Sequence, residues 1–257
     1  MSIHPTALVD SSARIAQDAE VGAYTVIGPE VEIASGCMID HHVNIERDTK
    51  IGPGTRIWPM ASLGTDAQDL KYQGERSYLE IGANVKIREF ATVNRGTDEG
   101  VGVTRVGDEC LLMAYSHVAH DCQLGRRVIM ANSVNLAGHV TIEDFASLGG
   151  MVAVHQFVRI GTHCFVGGLS GVAQDLPPFT LCEGSRAKTH GLNSIGLKRA
   201  GFSNETIEAV KKAYRTIFRN TTPLKKAIAQ AREEAPDLPE VKHFLEFIEA
   251  SQRGVPR

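Results

Sequence analysis

Twelve successive positions spaced six residues apart, Val106, Leu112, Val118, Leu124, Met130, Leu136, Ile142, Leu148, Val154, Ile160, Val166 and Val172, are all aliphatic or methionine. With 42% of the chain hydrophobic, chance supplies such a run about once in 30,000 (0.42 to the twelfth power), so the period specifies architecture. The same spacing runs earlier through Ile3, Val9, Ile15, Val21, Ile27, Ile33, Ile39, Ile45, Ile51, Ile57 and Leu63, then through Ile81, Ile87 and Val93. The fourth residue after each anchor is mostly small or β-branched, as in Ala7, Ala19, Thr25, Val43, Ala61, Val134 and Ala146, which gives two inward positions per hexad. Each hexad reads as a short strand plus a corner. Three hexads close a triangular turn of about 18 residues, and stacked turns pair as parallel strands about 4.8 Å apart. Glycine often follows the anchor directly, at Gly22, Gly28, Gly52, Gly107 and Gly149, where a corner is expected to need backbone freedom.

A β-helical prism explains a 257-residue chain, because solenoids lengthen by stacking rather than by enlarging one core. The aromatic fraction of 6% suits an interior filled by aliphatic ladders. A net charge of −3 gives no basic face for nucleic acid. Cys37, Cys110, Cys122 and Cys164 occupy the small inward slot and Cys182 follows the repeats; without a CxxC pair, all five read as buried apolar residues in a reducing compartment. The amino terminus enters the repeat at Ile3 without a signal-peptide pattern, and no apolar run is long enough to span a bilayer. A cytoplasmic protein without stable membrane insertion is therefore expected.

The period breaks twice. Between Leu63 and Ile81, Asp69 and Glu75 occupy anchor slots, so an excursion loop near 64–80 is expected; a second, near 94–105, shifts the register by one residue. After Pro177 and Pro178 helical spacing takes over. Ser203 caps a stripe of Ile207, Val210, Ala213, Tyr214 and Ile217, while Thr222-Pro223 and Leu238-Pro239 start two further helices. The expected organisation is a β-helix over 1–188 and a helical domain over 189–257 that caps it.

Five of ten histidines, His117, His120, His139, His155 and His163, crowd into the last repeat block. One turn after position 120 is 138 and two turns after is 156, so His120, His139 and His155 are expected to stack along one polar groove. His120-Asp121 has the composition of a general base and the carboxylate that orients it. Gly138, one turn away, offers an unshielded backbone N–H to a developing oxyanion. Acyl transfer is the matching reaction class. A zinc site of the kind held by three histidines in β-helical carbonic anhydrases is the rival, but the spacing of His117 and His120 differs from that family's pair. No metal and no cofactor are expected.

The segments His117-Val118-Ala119-His120-Asp121-Cys122, Asn135-Leu136-Ala137-Gly138-His139-Val140, Gly149 through Phe157, Gln68-Asp69-Leu70-Lys71-Tyr72 and Gly196-Leu197-Lys198-Arg199 closely resemble the acyl-ACP:UDP-N-acetylglucosamine O-acyltransferases of lipid A biosynthesis, and the resemblance spans the whole chain. It implies a left-handed β-helix, against the usual right-handed crossover, assembled as a homotrimer with sites between subunits. His120 would deprotonate the glucosamine 3-hydroxyl, which attacks the thioester of an (R)-3-hydroxyacyl group on acyl carrier protein; Asp121 would orient the base and Gly138 hold the oxyanion. Gln68, Asp69 and His117 would hold the sugar, Lys71 and His139 assist near the reacting groups, and His155, Gln156, Asn193 and Arg199 hold the UDP portion. Gly168 matches the position that helps to set acyl length. Ile195 and Ala200 stand where better-known members carry an acidic and a basic residue, and Asn94 replaces a histidine. Arg186, Lys188, Lys198 and Arg199 would meet the acidic carrier. Related activities are acylation of a 3-amino analogue and the later N-acyltransferase, which carries an extra amino-terminal domain. A non-enzymatic scaffold is the alternative from another class.

Overall fold

A computed structural model describes residues 2–257. The chain is a left-handed parallel β-helix followed by a small helical domain. Among the described residues the strands, most of them two residues long, stack into three sheets of 11, 9 and 8 strands. Ser2 pairs with Glu20, Glu20 with Met38 and Met38 with Arg56, so each turn takes the 18 residues expected. Two turns are longer: Arg56 pairs with Lys86, 30 residues on, and Lys86 with Leu111, 25 residues on. The surplus leaves the wall as the two expected excursions, one between the strands Ser62–Thr65 and Tyr78–Ile81, the other between Thr92–Asn94 and Val103–Val106.

Both inward slots of the hexad are filled as anticipated. Ile27, Ile45, Ile57, Leu112, Met130 and Leu136 form anchor ladders, while Ala19, Cys37, Ala61, Ala91, Cys110 and Cys122 fill the small slot, all at most 1% exposed. All five cysteines are free and buried.

The glycine expectation is corrected in its cause. The left-handed corner residue is the third after the anchor, and it is mostly not glycine: Tyr24, His42, Phe90, Tyr115, Asp121, His139 and Phe157 all have φ between 56° and 65°. The glycines directly after the anchor serve close approach between turns. A Cβ on Gly28 would lie 1.7 Å from the Glu46 carbonyl oxygen of the next turn, and one on Gly107 would lie 2.4 Å from that of Gly125.

The last turn passes into an antiparallel pair, Thr180–Glu183 with Lys188–Leu192, and then four helices: α1 (Ser194–Arg199), α2 (Asn204–Phe218), α3 (Leu224–Glu234) and α4 (Pro239–Glu249). Ser203 caps α2 through a bond from Thr206 N, and the expected stripe Ile207, Val210, Ala213, Tyr214 and Ile217 is buried. Thr222 does not cap α3, whose N-cap is Pro223. The short α1 has no counterpart in the sequence reading, since six residues hold too little periodicity to show one. The helical core, including Phe179, Leu197 and Phe244, is separate from that of the prism. The two are tied by Arg253 Nε donating to the Ala173 carbonyl at 3.1 Å, by His243 against Glu143 at 2.7 Å, and by the Arg159 guanidinium 4.3 Å over the Phe247 ring.

Candidate active site

His120 sits two residues after the anchor Val118, at a corner whose next residue, Asp121, takes a left-handed φ of 59°. That turn throws the carboxylate back onto the imidazole, where Asp121 Oδ2 lies 2.9 Å from His120 Nδ1. One turn on, Gly138 lies beneath the ring: a Cβ there would sit 2.5 Å from His120 Cε1 and 2.6 Å from Nε2. The absence of a side chain at 138 therefore makes room for the imidazole. Adjacent to it, His139 N donates to the His120 carbonyl at 3.0 Å, and the two rings meet edge to face with centroids 5.0 Å apart.

The Asp121 side chain is fully buried, yet its carboxyl is held below the ordinary value. Burial pushes it upward, and the hydrogen bonds from His120 and Thr97 outweigh that cost. Thr97 donates twice, from its backbone N at 3.1 Å and its hydroxyl at 2.7 Å, and Val101 N adds a bond at 3.0 Å. A carboxylate so held keeps Nδ1 protonated and leaves Nε2 as the basic nitrogen of His120. Nε2 faces Asp69 Oδ2 at 3.9 Å, beyond a direct hydrogen bond but well within reach of its charge.

Asp69 is presented by its own loop: its other carboxylate oxygen accepts from Lys71 N at 3.0 Å. Lys71 Nζ pairs with Glu99 of the second excursion at 2.9 Å, which raises the lysine's pKa, and Gln68 is exposed alongside. His117 Nδ1 is 2.7 Å from the Thr92 hydroxyl. Burial, and then the neighbouring His120, lowers the pKa of His117; burial likewise lowers that of His139, opposed by Asp121, so both rings are neutral at pH 7. His139 stacks on Phe157 with centroids 4.5 Å apart.

The expected stack of three imidazoles is corrected to a pair. The three histidines occupy different slots, two, three and one residues after their anchors, so only His120 and His139 turn into the same corner. His155 is exposed and bonds through Nδ1 to the Gln156 carbonyl at 3.1 Å; Gln156 is exposed beside it. Asn193 caps α1, accepting from Gly196 N at 3.1 Å and donating to the His163 carbonyl at 3.1 Å, so its amide already has a structural task. Arg199 is exposed at the end of α1, with Ile195 69% exposed on the same helix. His163 is absorbed by packing, stacked on Phe145 at 4.6 Å. Gly168 is exposed next to Leu169, and a Cβ there would lie 3.2 Å from the Gly150 carbonyl oxygen.

Sequence reasoning marked the second excursion but missed its residues Thr97, Gly100 and Val101. Their signal is only the register shift, because a backbone N–H donor leaves no mark in composition. His120, Asp121 and His139 each offer one side-chain ligand atom within 4.8 Å of the others, the one grouping with ligand-like spacing among the described residues. The carboxylate in it is already bonded by Thr97, Val101 and His120, an arrangement that orients an imidazole rather than one that waits for a cation.

This imidazole, the carboxylate bonded to it and the facing acidic loop can be compared with known proteins. Residues 175–256 match the family model described as "Udp N-acetylglucosamine O-acyltransferase; Domain 2". The chain is 50% identical over 255 residues, 99% of each chain, to the acyl-[acyl-carrier-protein]–UDP-N-acetylglucosamine O-acyltransferase of Thermodesulfovibrio yellowstonii. Among solved structures it resembles LpxA from Acinetobacter baumannii, with a TM-score of 0.97 and 40% identity over 99% of each chain. It is also similar to the Arabidopsis UDP-N-acetylglucosamine acyltransferase, with a TM-score of 0.89 and 33% identity, covering 99% of this chain and 100% of that one. Likeness of this degree along nearly the full length takes in the prism, both excursions and the helical cap together, and the chain belongs to the acyl-[acyl-carrier-protein]–UDP-N-acetylglucosamine O-acyltransferase family.

Proposed function

We propose that the protein transfers an (R)-3-hydroxyacyl group from acyl carrier protein to the glucosamine 3-hydroxyl of UDP-N-acetylglucosamine, the first step of lipid A biosynthesis. The observation that carries the reading is His120, with Nδ1 tied to a buried ionised Asp121 and Nε2 facing Asp69 above Gly138. His120 Nε2 takes the proton of the sugar hydroxyl, whose oxygen attacks the thioester carbonyl. Asp121 stabilises the imidazolium, and the Gly138 N–H, which has no hydrogen-bond partner among the described residues, meets the oxyanion. Collapse expels the carrier's thiolate, which takes the proton back from His120, so base and acid are one residue.

Gln68, Asp69 and His117 hold the sugar, Lys71 and His139 assist near the reacting groups, and His155, Gln156, Asn193 and Arg199 take the nucleotide end. Asn193 does so from a side chain already used as a cap, so its part is to present α1. Gly168 lies in the acyl groove, and Arg186, Lys188, Lys198 and Arg199 form a basic surface for the acidic carrier. The active form is a homotrimer. One edge of the prism supports this, since Tyr24, Met60, Phe90, Tyr115, Met151 and Leu169 stand along it between 44% and 71% exposed, a stripe that a lone solenoid leaves in water. The reading places the reaction in the cytoplasm; among the described residues no helix is long and apolar enough to cross a membrane.

Incubation with UDP-N-acetylglucosamine and a hydroxyacyl carrier protein, followed by mass analysis, tests the reading. An alkali-labile ester on the sugar is expected. No product, or product only with the 3-amino sugar, would refute it.

A further inference from the structure

Asp121 is held by His120 and by a segment that the reaction scheme does not use. Apart from His120, every donor to its carboxylate among the described residues comes from the second excursion: Thr97 N, the Thr97 hydroxyl and Val101 N. The Thr97 hydroxyl bonds Oδ2 at 2.7 Å, the same oxygen that His120 Nδ1 meets at 2.9 Å. Gly100 closes the cradle, since a Cβ there would fall 2.3 Å from Asp121 Cγ. Asp121 N donates to Thr104 Oγ1 at 2.8 Å, holding the corner that aims the carboxylate.

The cradle is anchored from its other side. Arg95, two residues before Thr97 and only 2% exposed, donates to the Gly64 carbonyl and the Asp66 carboxylate, and to the Tyr72 hydroxyl at 3.0 Å. Its backbone N donates to the Thr65 carbonyl at 2.9 Å, and Asn94 Nδ2 adds bonds of 2.8 Å to Thr65 Oγ1 and the Asp66 carbonyl. One short segment thus holds both the carboxylate behind His120 and the loop that carries Asp69 and Lys71.

We infer that Thr97 is a positioning residue for the transfer reaction, acting through Asp121 on His120; the inference rests on the reading of His120 as the base. The hydroxyl draws negative charge from Oδ2 and holds that oxygen in line with Nδ1. Its loss leaves more charge on the carboxylate to stabilise the imidazolium, which raises the proton affinity of the pair; the bonds from Thr97 N and Val101 N keep the carboxylate beside the ring but align it less closely with Nδ1.

Two substitutions separate this role from packing. Thr97→Val keeps the shape and both backbone bonds but removes the hydroxyl donor; Thr97→Ser keeps the donor and removes the methyl. The wild-type protein and both variants are assayed for acyl transfer across pH. For Thr97→Val, the expected result is a fall in kcat of roughly 10-fold, the scale of one hydrogen bond to a charged group. KM for the sugar nucleotide is unchanged and the acid limb of kcat/KM moves to higher pH. Thr97→Ser keeps the wild-type limb and kcat. A wild-type profile in Thr97→Val, or equal damage in Thr97→Ser, overturns the inference. Should Thr97→Val fail to fold, Gly100→Ala, which presses a methyl on the same carboxylate, must displace the limb, and an unmoved limb there overturns it equally. His120→Ala in the same assay keeps the two readings apart. An active His120→Ala sinks the base itself, whereas an inactive His120→Ala beside a normal Thr97→Val sinks only the role of Thr97.

Discussion

Gly138 and His120 are packed so closely across adjacent turns that one added methyl at 138 would stand 2.5 Å from the imidazole Cε1. The glycine has no left-handed φ, so its requirement is space and not backbone freedom. Gly138→Ala is therefore expected to fold normally and to push the ring off Asp121. A displacement of about 1 Å at a reacting group can cost on the order of 10² in rate. Steady-state kinetics with a melting curve check this: kcat should fall by about that factor with Tm nearly unchanged.

The close approach of turns makes the opposite prediction at Gly28. There a Cβ would meet backbone, at 1.7 Å from the Glu46 carbonyl oxygen, and no side chain can move aside. Gly28→Ala should lose about 1–3 kcal/mol of stability, the usual cost of overpacking, with kcat per folded molecule preserved. Denaturant unfolding measures it.

The contact between the helical cap and the prism should weaken with rising pH. The hydrogen bond to Glu143 raises the pKa of His243 above its ordinary 6.5, against the opposing effect of burial. A raised folded-state value means the protonated pair stabilises the protein fully below pH 6.5 and ceases to do so as pH climbs through the higher folded value. The protection of α4 amides, measured relative to their intrinsic exchange rate at each pH, should fall over that window in the wild-type protein, and Glu143→Gln should abolish the fall. Asp121 has the opposite sign: its lowered carboxyl contributes stability above the ordinary 3.8, lost as acid protonates it below that value.

Arg95 ties the first excursion to the wall, with bonds to Gly64, Asp66 and Tyr72. Arg95→Met should loosen residues 66–77 and raise KM for the sugar nucleotide by roughly 10-fold, equivalent to about 1.4 kcal/mol of binding. Limited proteolysis within that loop should accelerate in parallel. A variant with wild-type KM and no new cleavage would contradict the clamp.

The prism was legible in the sequence because its physics is periodic: an anchor such as Leu136 must be apolar wherever three short strands close on one axis. His120 and Asp121 were legible as chemistry. Their partner His139 was placed one residue from the correct slot, close enough to bring it to the groove, whereas the same arithmetic carried His155 to a neighbouring slot that faces solvent. The Thr97 cradle was hidden, since its donors are largely backbone and its address depends on how seven surplus residues fold back, from Lys86 paired with Leu111 rather than with a residue 18 later. Asn193 shows the converse: family likeness marks the residue, while only coordinates reveal that its amide caps α1.

The account turns on a neutral imidazole at position 120 removing the proton of a sugar hydroxyl. The most direct measurement is single-turnover acyl transfer by His120→Ala, at saturating donor and acceptor, alongside its melting curve and oligomeric state. A general base of this kind supplies about 10²–10⁴ in rate. The expected result is a folded assembly that binds UDP-N-acetylglucosamine and forms ester slower by that factor; turnover within a few-fold of wild type would contradict it.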